Sequence, residues 1–398
     1  MSFRVALRGG AVVLVVALAF IAGVYVDQAY PDYVPYLAHH NVGKVDLSEA
    51  EQVARLIAAD YVDTNVDPTK LAQGSAQGMV QSLGDPFTSY FTPDQYRRLQ
   101  ESYQGRYTGI GVYLSFSTGY PVITGTLANS PAAAAGIKAG DQIVRVGDKD
   151  VKGITVDQAS TLIEGPSGTK VTITISRGDQ QMTLTLTRAE IQVPSVQSTL
   201  LPNRILYVRI YQFGSQTSAD LSSALKSGVP GASGIVLDLR GNPGGFTSAA
   251  DDTISQFVTS GETFETHGRS GVDKHQVGST HLAPTQPLVV LVDANSASSA
   301  EIVSGSLQVH SRAKLVGTKT FGKGSVQQDF VLTDGADIHM TVERWFLPNG
   351  QTIDHKGLTP DIAVTLANPA DMFDVQQPAL GYAEDTQLIT ALTLLSGG

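Results

Sequence analysis

Two runs of almost unbroken apolar residues limit what this chain can fold into more than any other feature. They are GIVLDLR, which begins at residue 234, and PLVVLVDA, which begins at residue 287. Short runs of this kind are typical of strands buried on both faces of a parallel sheet. The helical pattern SADLSSALKSG precedes the first run, and such alternation places helices on both faces of the sheet. The sequence therefore predicts an α/β core with a mixed, mainly parallel sheet and flanking helices.

Two segments before this core have different patterns. Residues 46–103 show apolar residues near helical spacing, with Thr92 as an N-cap and Pro93 at the first helical position, which predicts a helical arm. Residues 105–190 contain alternating runs such as TKVTITISRG, which are typical of half-buried strands. The second segment is therefore predicted to be a compact mixed α/β unit.

The N-terminus indicates export. Arg4 and Arg8 precede an uncharged apolar stretch, residues 9–26, which is just long enough to span a bilayer as a helix. We expect an uncleaved signal-anchor that attaches the chain to the membrane and leaves the rest outside the cytoplasm. The alternative is a cleaved signal peptide and a secreted protein, with the ALA sequence at 17–19 as the cleavage site.

The composition excludes several classes of function. The 398 residues carry a formal net charge of -10 and no Lys/Arg-rich stripe, so nucleic acid is not expected as a partner. The absence of cysteine excludes disulfides, thiol nucleophiles and cysteine-ligated zinc. We expect neither a cofactor nor a metal site.

A cluster of serines stands where the second apolar run gives way to a helical pattern, in VDANSASSAEIVSG. Ser296, Ser298 and Ser299 fit the turn between strand and helix. The small residues there permit close approach of the backbone, and the free N–H groups of the first helical turn can stabilise an oxyanion. One of these serines is therefore a candidate nucleophile. The alternative is that they only cap the helix.

The base for such a serine is not an obvious histidine, because none of the eight histidines lies in a recognisable catalytic pattern. A lysine can serve if burial lowers its pKa. Lys323 in TKTFGKGSVQ is a candidate, since Gly322 and Gly324 permit close backbone approach and Phe321 and Val326 are apolar neighbours. A surface lysine in a glycine turn is the alternative. The turn DLRGNPGG, residues 238–245, can direct backbone N–H groups at developing negative charge, although it is also an ordinary turn sequence.

The whole set of motifs, in this order, resembles the carboxy-terminal processing (tail-specific) protease family of serine peptidases. The resemblance extends from about residue 50 to the end and covers DPFTSYFTPDQY, GIGV, SPAAAAGIKAGDQIVRVG, GPSGTKVTITISR, VLDLRGNPGG, NSASSAEIVSGSLQ, GTKTFGKGSVQ and PNGQTIDHKGLTPDI. It implies a serine endopeptidase with a crotonase-like catalytic core and an inserted PDZ domain. It further implies that Ser298 is the nucleophile, that Lys323 is its base and that Gln327 orients the lysine.

The resemblance also implies an oxyanion hole made by the N–H of Ser299 and one N–H of Gly244 or Gly245. The residue after the nucleophile is usually alanine in the family, and here it is Ser299. We expect little effect, because the backbone N–H is the group that the oxyanion needs. The substitution does leave Ser299 as a rival nucleophile.

A PDZ domain binds a peptide as an added strand and holds its terminal carboxylate with backbone N–H groups. The resemblance places this function in residues 105–190, in the GIGV loop and on a helix predicted over 155–164. The expected peptide-binding residues are Gly109, Ile110, Gly111, Val112, Ala159, Leu162 and Ile163. Proteins or peptides with free C-termini are the expected partners, and the helical arm is the expected place for contacts between copies of the chain.

Two other functions are compatible with parts of this pattern. One is a catalytically inactive peptide-binding scaffold, against which the intact Ser298, Lys323 and Gln327 argue. The other is a crotonase-like acyl-CoA enzyme, which the PDZ segment and the export segment disfavour. The predicted boundaries are 1–30 for the export segment, 31–104 for the helical region, 105–190 for the PDZ domain, 191–366 for the catalytic domain and 367–398 for a C-terminal helical tail.

Overall fold

The computed structural model describes residues 45–116, 119–127, 130–154, 156–178, 180–368, 371–375 and 381–397. The chain divides into two compact units, of which the first ends at residue 76 and the second begins at residue 77. The predicted export segment, 9–26, lies outside the described residues. Within the described part of the chain, no helix is both long enough and apolar enough to cross a membrane.

Helices occur at both ends of the described chain and between the strands. They are α1 (Ser48–Asp60), α2 (Pro68–Gln81), α3 (Pro93–Tyr103), α4 (Pro131–Ala134), α5 (Val156–Ile163), α6 (Thr217–Gly228), α7 (Thr247–Phe257), α8 (Ser299–Val309) and α9 (Thr386–Ser396). Thr92 caps α3 as predicted, because its side chain accepts a hydrogen bond from the Gln95 amide and Pro93 follows at the first helical position.

The predicted catalytic domain is built on a six-stranded sheet. Its strands are β10 (Val196–Leu201), β11 (Ile205–Ile210), β12 (Gly234–Asp238), β15 (Leu288–Val292), β16 (Lys314–Gly317) and β19 (Ile362–Ala363), adjacent in that order. Only the pairing of β10 with β11 is antiparallel; the other pairings are parallel. The two apolar runs form β12 and β15, where every residue is buried, which confirms the predicted sheet.

Helices cover both faces of this sheet. On one face, apolar residues of α6, α7 and α8 pack against the strands in the larger core of the molecule. On the other face, Leu388 and Ala391 of α9 pack with Phe373 and the opposite side chains of the same strands. Because β12 and β15 are parallel neighbours, the turns that follow them meet at one edge of the sheet.

A second, antiparallel sheet lies in the same unit. It has the order β1 (Ser89–Phe91), β18 (Asp337–Phe346), β13 (Glu262–Gly268) and β14 (Gly271–Gln276), and β17 (Ser325–Val331) pairs with β18. Lys323 stands two residues before β17. This sheet therefore carries the candidate base to the edge where the turns after β12 and β15 meet.

Residues 105–190 form a separate small sheet with its own core. The order is β3 (Val112–Phe116), β4 (Pro121–Thr126), β5 (Gln142–Val146), β7 (Lys170–Arg177) and β8 (Gln180–Thr187), with β6 (Lys149–Asp150) on β5. The strands β2 (Arg106–Gly109) and β9 (Ala189–Gln192) pair antiparallel where the chain enters and leaves this unit. Val171, Ile173 and Ile175 are buried, as the alternation in β7 predicts.

Candidate active site and peptide groove

The turn between β15 and α8 separates the roles of its three serines. The Ser296 hydroxyl is fully buried and donates to the Leu239 carbonyl at 2.8 Å. The Ser299 hydroxyl is also fully buried and donates to the Gly245 carbonyl at 2.8 Å. Ser298 is 9% exposed and lines a cavity of about 610 Å³. Of the three, Ser298 alone faces this cavity.

Ser298 has an unusual backbone conformation, with φ 53° and ψ −119°. Non-glycine residues rarely adopt positive φ, and such strain is held at functional sites by the surrounding structure. The preceding Ala297 amide donates to the Asn242 carbonyl at 2.9 Å, and Gly244 packs against the Ser298 side chain. A Cβ atom at position 244 would come within 2.7 Å of Ser298 Cβ, so this close approach requires glycine.

Glu301 joins the turn that carries Ser298 to the loop that carries Lys323. Its fully buried carboxylate accepts hydrogen bonds from the Ser298 amide at 3.0 Å and the Lys323 amide at 2.9 Å through Oε2. Its Oε1 atom accepts from the Gly322 amide at 2.7 Å and the Thr320 hydroxyl at 2.5 Å. Burial raises the pKa of Glu301, whereas these four donors lower it. One carboxylate thus fixes both candidate catalytic segments.

Lys323 meets the requirement for a lysine base. Burial lowers the pKa of its ammonium, while the charge of Asp85 opposes this shift. Among the described residues the ammonium has no hydrogen-bond or ion-pair partner, and it lies 5.1 Å from the centre of the Phe87 ring. The expected neighbour Phe321 is 55% exposed, so Phe87 provides the apolar cover that we expected from Phe321.

Gln327 lines the same cavity as Lys323, but the two side chains do not form a hydrogen bond. The Gln327 amide nitrogen donates to the hydroxyl of Ser325 at 2.8 Å and to that of Thr341 at 3.0 Å. These contacts fix the amide group and leave its Oε1 atom available as an acceptor.

The candidate oxyanion donors differ in availability. The Gly244 N–H donates to the Asn242 side chain at 2.8 Å, so it is already occupied. Within the described residues, the N–H groups of Gly245 and Ser299 make no hydrogen bond. A Cβ atom at position 244 would lie 3.1 Å from the Ser299 nitrogen. Of the two glycines, Gly245 therefore has the available N–H, and Gly244 contributes the close approach.

Arg240 anchors the turn after β12 to the C-terminal helix. Its fully buried guanidinium donates to Asp238 at 2.6 Å and to Asp385 at 2.9 Å, and it also donates to Gln387. Asp385 caps α9 by accepting from the Leu388 amide. This network links the Gly-rich turn to a residue 145 positions later in the sequence.

A second cavity, of about 370 Å³, lies between the 105–190 unit and the catalytic core. We call it the peptide groove. Five of the seven expected residues line it: Gly109, Ile110, Gly111, Val112 and Ile163. Tyr103 and Gln212 line both the groove and the catalytic cavity, so the two adjoin.

The helix of the groove is rotated relative to our expectation. Ala159 and Leu162 do not line the groove, because Ala159 is fully buried and Leu162 packs against the core of its own unit. Ser160 and Glu164 line the groove together with the expected Ile163, at positions i, i+4 and i+3. Ala159 and Leu162 are directed toward the core of the unit, so the prediction that they line the groove was wrong.

The loop at 109–112 is fixed by one glycine. Gly111 has a φ of 77°, and a Cβ atom there would come within 2.3 Å of Ser130 Cβ. Gly109 has no positive φ and ample space, so only Gly111 has the conformational role expected of both. The amides of Ile110 and Gly111 donate to no group in the described part of the chain, which leaves them available to a ligand.

Three neighbours of the candidate sites were not predicted from the sequence. Glu301 and Glu164 are single carboxylates in ordinary helical patterns, and nothing in the sequence marks their burial. Phe87 belongs to DPFTSYFTPDQY, to which we assigned no chemistry. That motif is one of those that carry the family resemblance. Its membership in this set was the one indication in the sequence that a residue from it lies beside Lys323.

Comparison with known proteins agrees with this architecture. Three family models match: Peptidase family S41 at residues 204–364, PDZ domain at 122–177, and the Activating protease CtpB N-terminal domain at 34–95. The PDZ match falls within 105–190, and the peptidase match falls within 191–366.

Curated relatives match over most of their length. The chain is 35% identical to the carboxy-terminal processing protease CtpA of Bacillus subtilis, over 79% of this chain and 68% of the relative. It is 33% identical to a carboxy-terminal-processing protease of Bartonella bacilliformis, over 87% of this chain and 81% of the relative. Among solved structures, the photosystem II D1 C-terminal processing protease is 28% identical, with a TM-score of 0.51, over 79% of this chain and 92% of that one.

These similarities extend across the candidate active site and the peptide groove together. The candidate site combines a serine in a strained turn, a lysine in the same cavity whose pKa burial lowers, and an adjoining unit that matches the PDZ model. The chain therefore belongs to the carboxy-terminal processing proteases, PDZ-containing serine peptidases of family S41.

Proposed function

We propose that this peptidase is an endopeptidase that uses Ser298 and Lys323 as a catalytic pair. The observation that supports this most strongly is the shared cavity: Ser298 alone of the three serines faces it, and the ammonium of Lys323 lies there without a partner among the described residues. Burial lowers the pKa of Lys323, which favours the neutral amine that a base requires.

In the proposed reaction, Ser298 Oγ attacks the carbonyl carbon of the scissile peptide bond while neutral Lys323 takes its proton. The carbonyl oxygen becomes an oxyanion, and the N–H groups of Gly245 and Ser299 stabilise it. Lys323 then returns the proton to the leaving amine, and water hydrolyses the resulting ester. Gln327, held through its amide nitrogen, presents Oε1 as an acceptor that orients the Lys323 ammonium.

We further propose that the peptide groove selects substrates by their C-termini. The free amides of Ile110 and Gly111 are suited to a terminal carboxylate, and β3 offers an edge for an added strand. Because Tyr103 and Gln212 border both cavities, a chain bound by its end in the groove can continue toward Ser298.

Three broader features complete the proposal. The charge pattern of residues 1–26 supports a membrane-anchored enzyme whose catalytic part is extracytoplasmic, with secretion after cleavage as the alternative. The parallel sheet with helices on both faces supports a crotonase-like core. Residues 31–104, as an N-terminal helical arm, are the proposed place for contacts between copies of the chain.

The catalytic assignment is tested by cleavage of an unfolded protein substrate with single variants. Ser298→Ala should lower kcat by about 10³-fold or more, whereas Ser299→Ala should retain most activity because its hydroxyl only bonds the Gly245 carbonyl. Lys323→Arg should be as inactive as Lys323→Ala, since arginine stays protonated. The wild-type rate should rise with pH through the lowered pKa of Lys323 as the ammonium loses its proton.

The same test distinguishes two alternatives, a catalytically inactive scaffold and an enzyme with a histidine base. A wild type without cleavage would support the scaffold. An active Lys323→Arg together with an inactive His339→Gln would give the role of base to His339, a histidine that lines the catalytic cavity.

A further inference from the structure

Three titratable side chains converge on the hairpin of β17 and β18, beyond the proposed catalytic pair. Asp329 and His339 are directly opposite each other in the register, and Asp337 lies two residues before His339 on the same face. One donor atom from each, a carboxylate oxygen or an imidazole nitrogen, lies within 4.8 Å of the other two. We call these three residues the hairpin cluster.

Asp337 makes this cluster more than a group of surface acids. The residue is 0% exposed, and neither carboxylate oxygen has a hydrogen-bond partner of ordinary geometry. The pKa of Asp337 is raised to about 6, mainly by burial and then by the charge of Asp329, while His339 and the amides of Phe330 and Ile338 oppose the shift. A buried carboxylate with no donor at ordinary hydrogen-bond geometry is expected to hold either a proton or a cation, because an uncompensated charge there has a large desolvation cost.

We propose that Asp329, Asp337 and His339 bind a divalent transition-metal ion of the Zn²⁺ type. Two carboxylates and one imidazole are oxygen and nitrogen ligands of the kind that such ions take, and a coordinated ion would satisfy the Asp337 oxygens. Donors around a tetrahedral zinc lie roughly 3.3 Å apart, given bonds of about 2.0 Å. Binding therefore needs the 2.6 Å contact between His339 Nδ1 and Asp329 Oδ1 to open.

The surroundings provide orientation and access. From α3, the Gln100 amide donates to Asp329 Oδ2 at 3.1 Å and leaves Oδ1 for the ion, and Tyr96 lies beside the same carboxylate. Asp329 and His339 line the catalytic cavity, with side chains 25% and 20% exposed, so an ion can enter from it. Asp329 also stands two residues after Gln327 on β17, which places a bound ion directly beside the proposed active site.

The test is Zn²⁺ titration of the metal-free full chain in detergent, in a Ser298→Ala background that prevents self-cleavage. We expect one tightly bound Zn²⁺ and a rise of Tm on its addition. Asp337→Asn should weaken binding at least tenfold and abolish the Tm shift. The matched control is Asp273→Asn, which removes an exposed carboxylate from a different His–Asp group, the one around His275, and should leave both measurements unchanged.

Folding of Asp337→Asn is checked by its Tm without metal, and His339→Gln serves as a second ligand variant if that protein does not fold. Absence of stoichiometric binding to the parent chain overturns the proposal, and so does equal affinity in the ligand variants. If the parent chain binds no Zn²⁺ but loses stability as pH rises through about 6, and Asp337→Asn does not, the cluster holds a proton instead. None of these outcomes depends on peptidase activity.

Discussion

Two loops of this molecule expose backbone amides, and they are supported in different ways. The turn at 297–299 is held by buried polar groups, among which the Glu301 carboxylate makes four hydrogen bonds. The loop at 109–112 rests on an apolar core, with Ile110 buried beneath it and Gly111 providing its conformation. In the groove, the half-buried Glu164 carboxylate has no hydrogen-bond partner among the described residues.

The difference corresponds to the role proposed for each loop. Stabilising an oxyanion requires donors fixed before the reaction, so that no reorganisation accompanies the transition state. Holding a carboxylate requires only a few donors of adequate geometry, and the residues around them can change at little structural cost. We therefore expect substitutions at the turn to affect catalysis and stability together, and substitutions at the groove to affect affinity alone.

The largest effect is expected at Glu301. In Glu301→Gln, an NH₂ group replaces one carboxylate oxygen and must face two N–H or hydroxyl donors. We therefore expect kcat to fall by about 10²-fold and the free energy of unfolding to fall by about 2–3 kcal/mol. Urea unfolding and peptide cleavage measure the two losses. Glu262→Gln is the control, since it removes only a surface ion pair with Lys274 and should cost less than about 1 kcal/mol. A fully active Glu301→Gln would show that the carboxylate does not position the catalytic segments.

An intermediate effect is expected at Gly111. In Gly111→Ala the new methyl group meets Ser130 at 2.3 Å and the residue must keep a φ of 77°. The loop should therefore shift, and affinity for a free-acid peptide should fall by about tenfold or more, or about 1.4 kcal/mol. Fluorescence anisotropy on the Ser298→Ala chain is the measurement. Gly109→Ala is the matched control, because its nearest contact is 4.0 Å away; equal losses in both variants would contradict the assignment.

The smallest effect is expected at Glu164. Burial raises the pKa of Glu164, with Arg98 opposing and Glu101 adding to the shift. Ionised Glu164 repels a peptide carboxylate, so affinity should fall as pH rises through this raised pKa. Glu164→Gln should raise affinity about fivefold near neutral pH, or roughly 1 kcal/mol, and remove the pH dependence. The gain should be absent with an amidated peptide and in the control Glu101→Gln; a gain with the amidated peptide would show that charge repulsion is not the cause.

The sequence predicted the elements of the core because their pattern is local. The runs in β12 and β15 and the alternation in β7 depend only on which faces are buried, and these predictions are confirmed. The groove helix was predicted with the wrong face for the converse reason. Its apolar residues could serve either the core or a ligand, and only packing decides which of Ala159 and Ser160 faces the groove.

The residues of the site needed long-range information. Three serines fitted the turn equally well, and they differ through contacts to Leu239 and Gly245, 57 and 54 positions away. The family resemblance selected Ser298, whereas local pattern alone could not. The burial of Asp337 likewise depends on the pairing of β18 with β1, which is far away in the sequence. No local sequence pattern therefore indicates that its carboxylate is buried without a partner of ordinary hydrogen-bond geometry.

The hydrogen bonds between Arg240 and Asp385 have a consequence for the order in which parts of the chain can fold. A ribosome delivers the chain from its N-terminus, so Ser298 and Lys323 emerge before Asp385 does. Until then the buried guanidinium of Arg240 lacks half of its partners, and the Gly-rich turn beside it lacks its anchor. The Gly-rich turn therefore gains its anchor only once residue 385 has been made and has joined the fold.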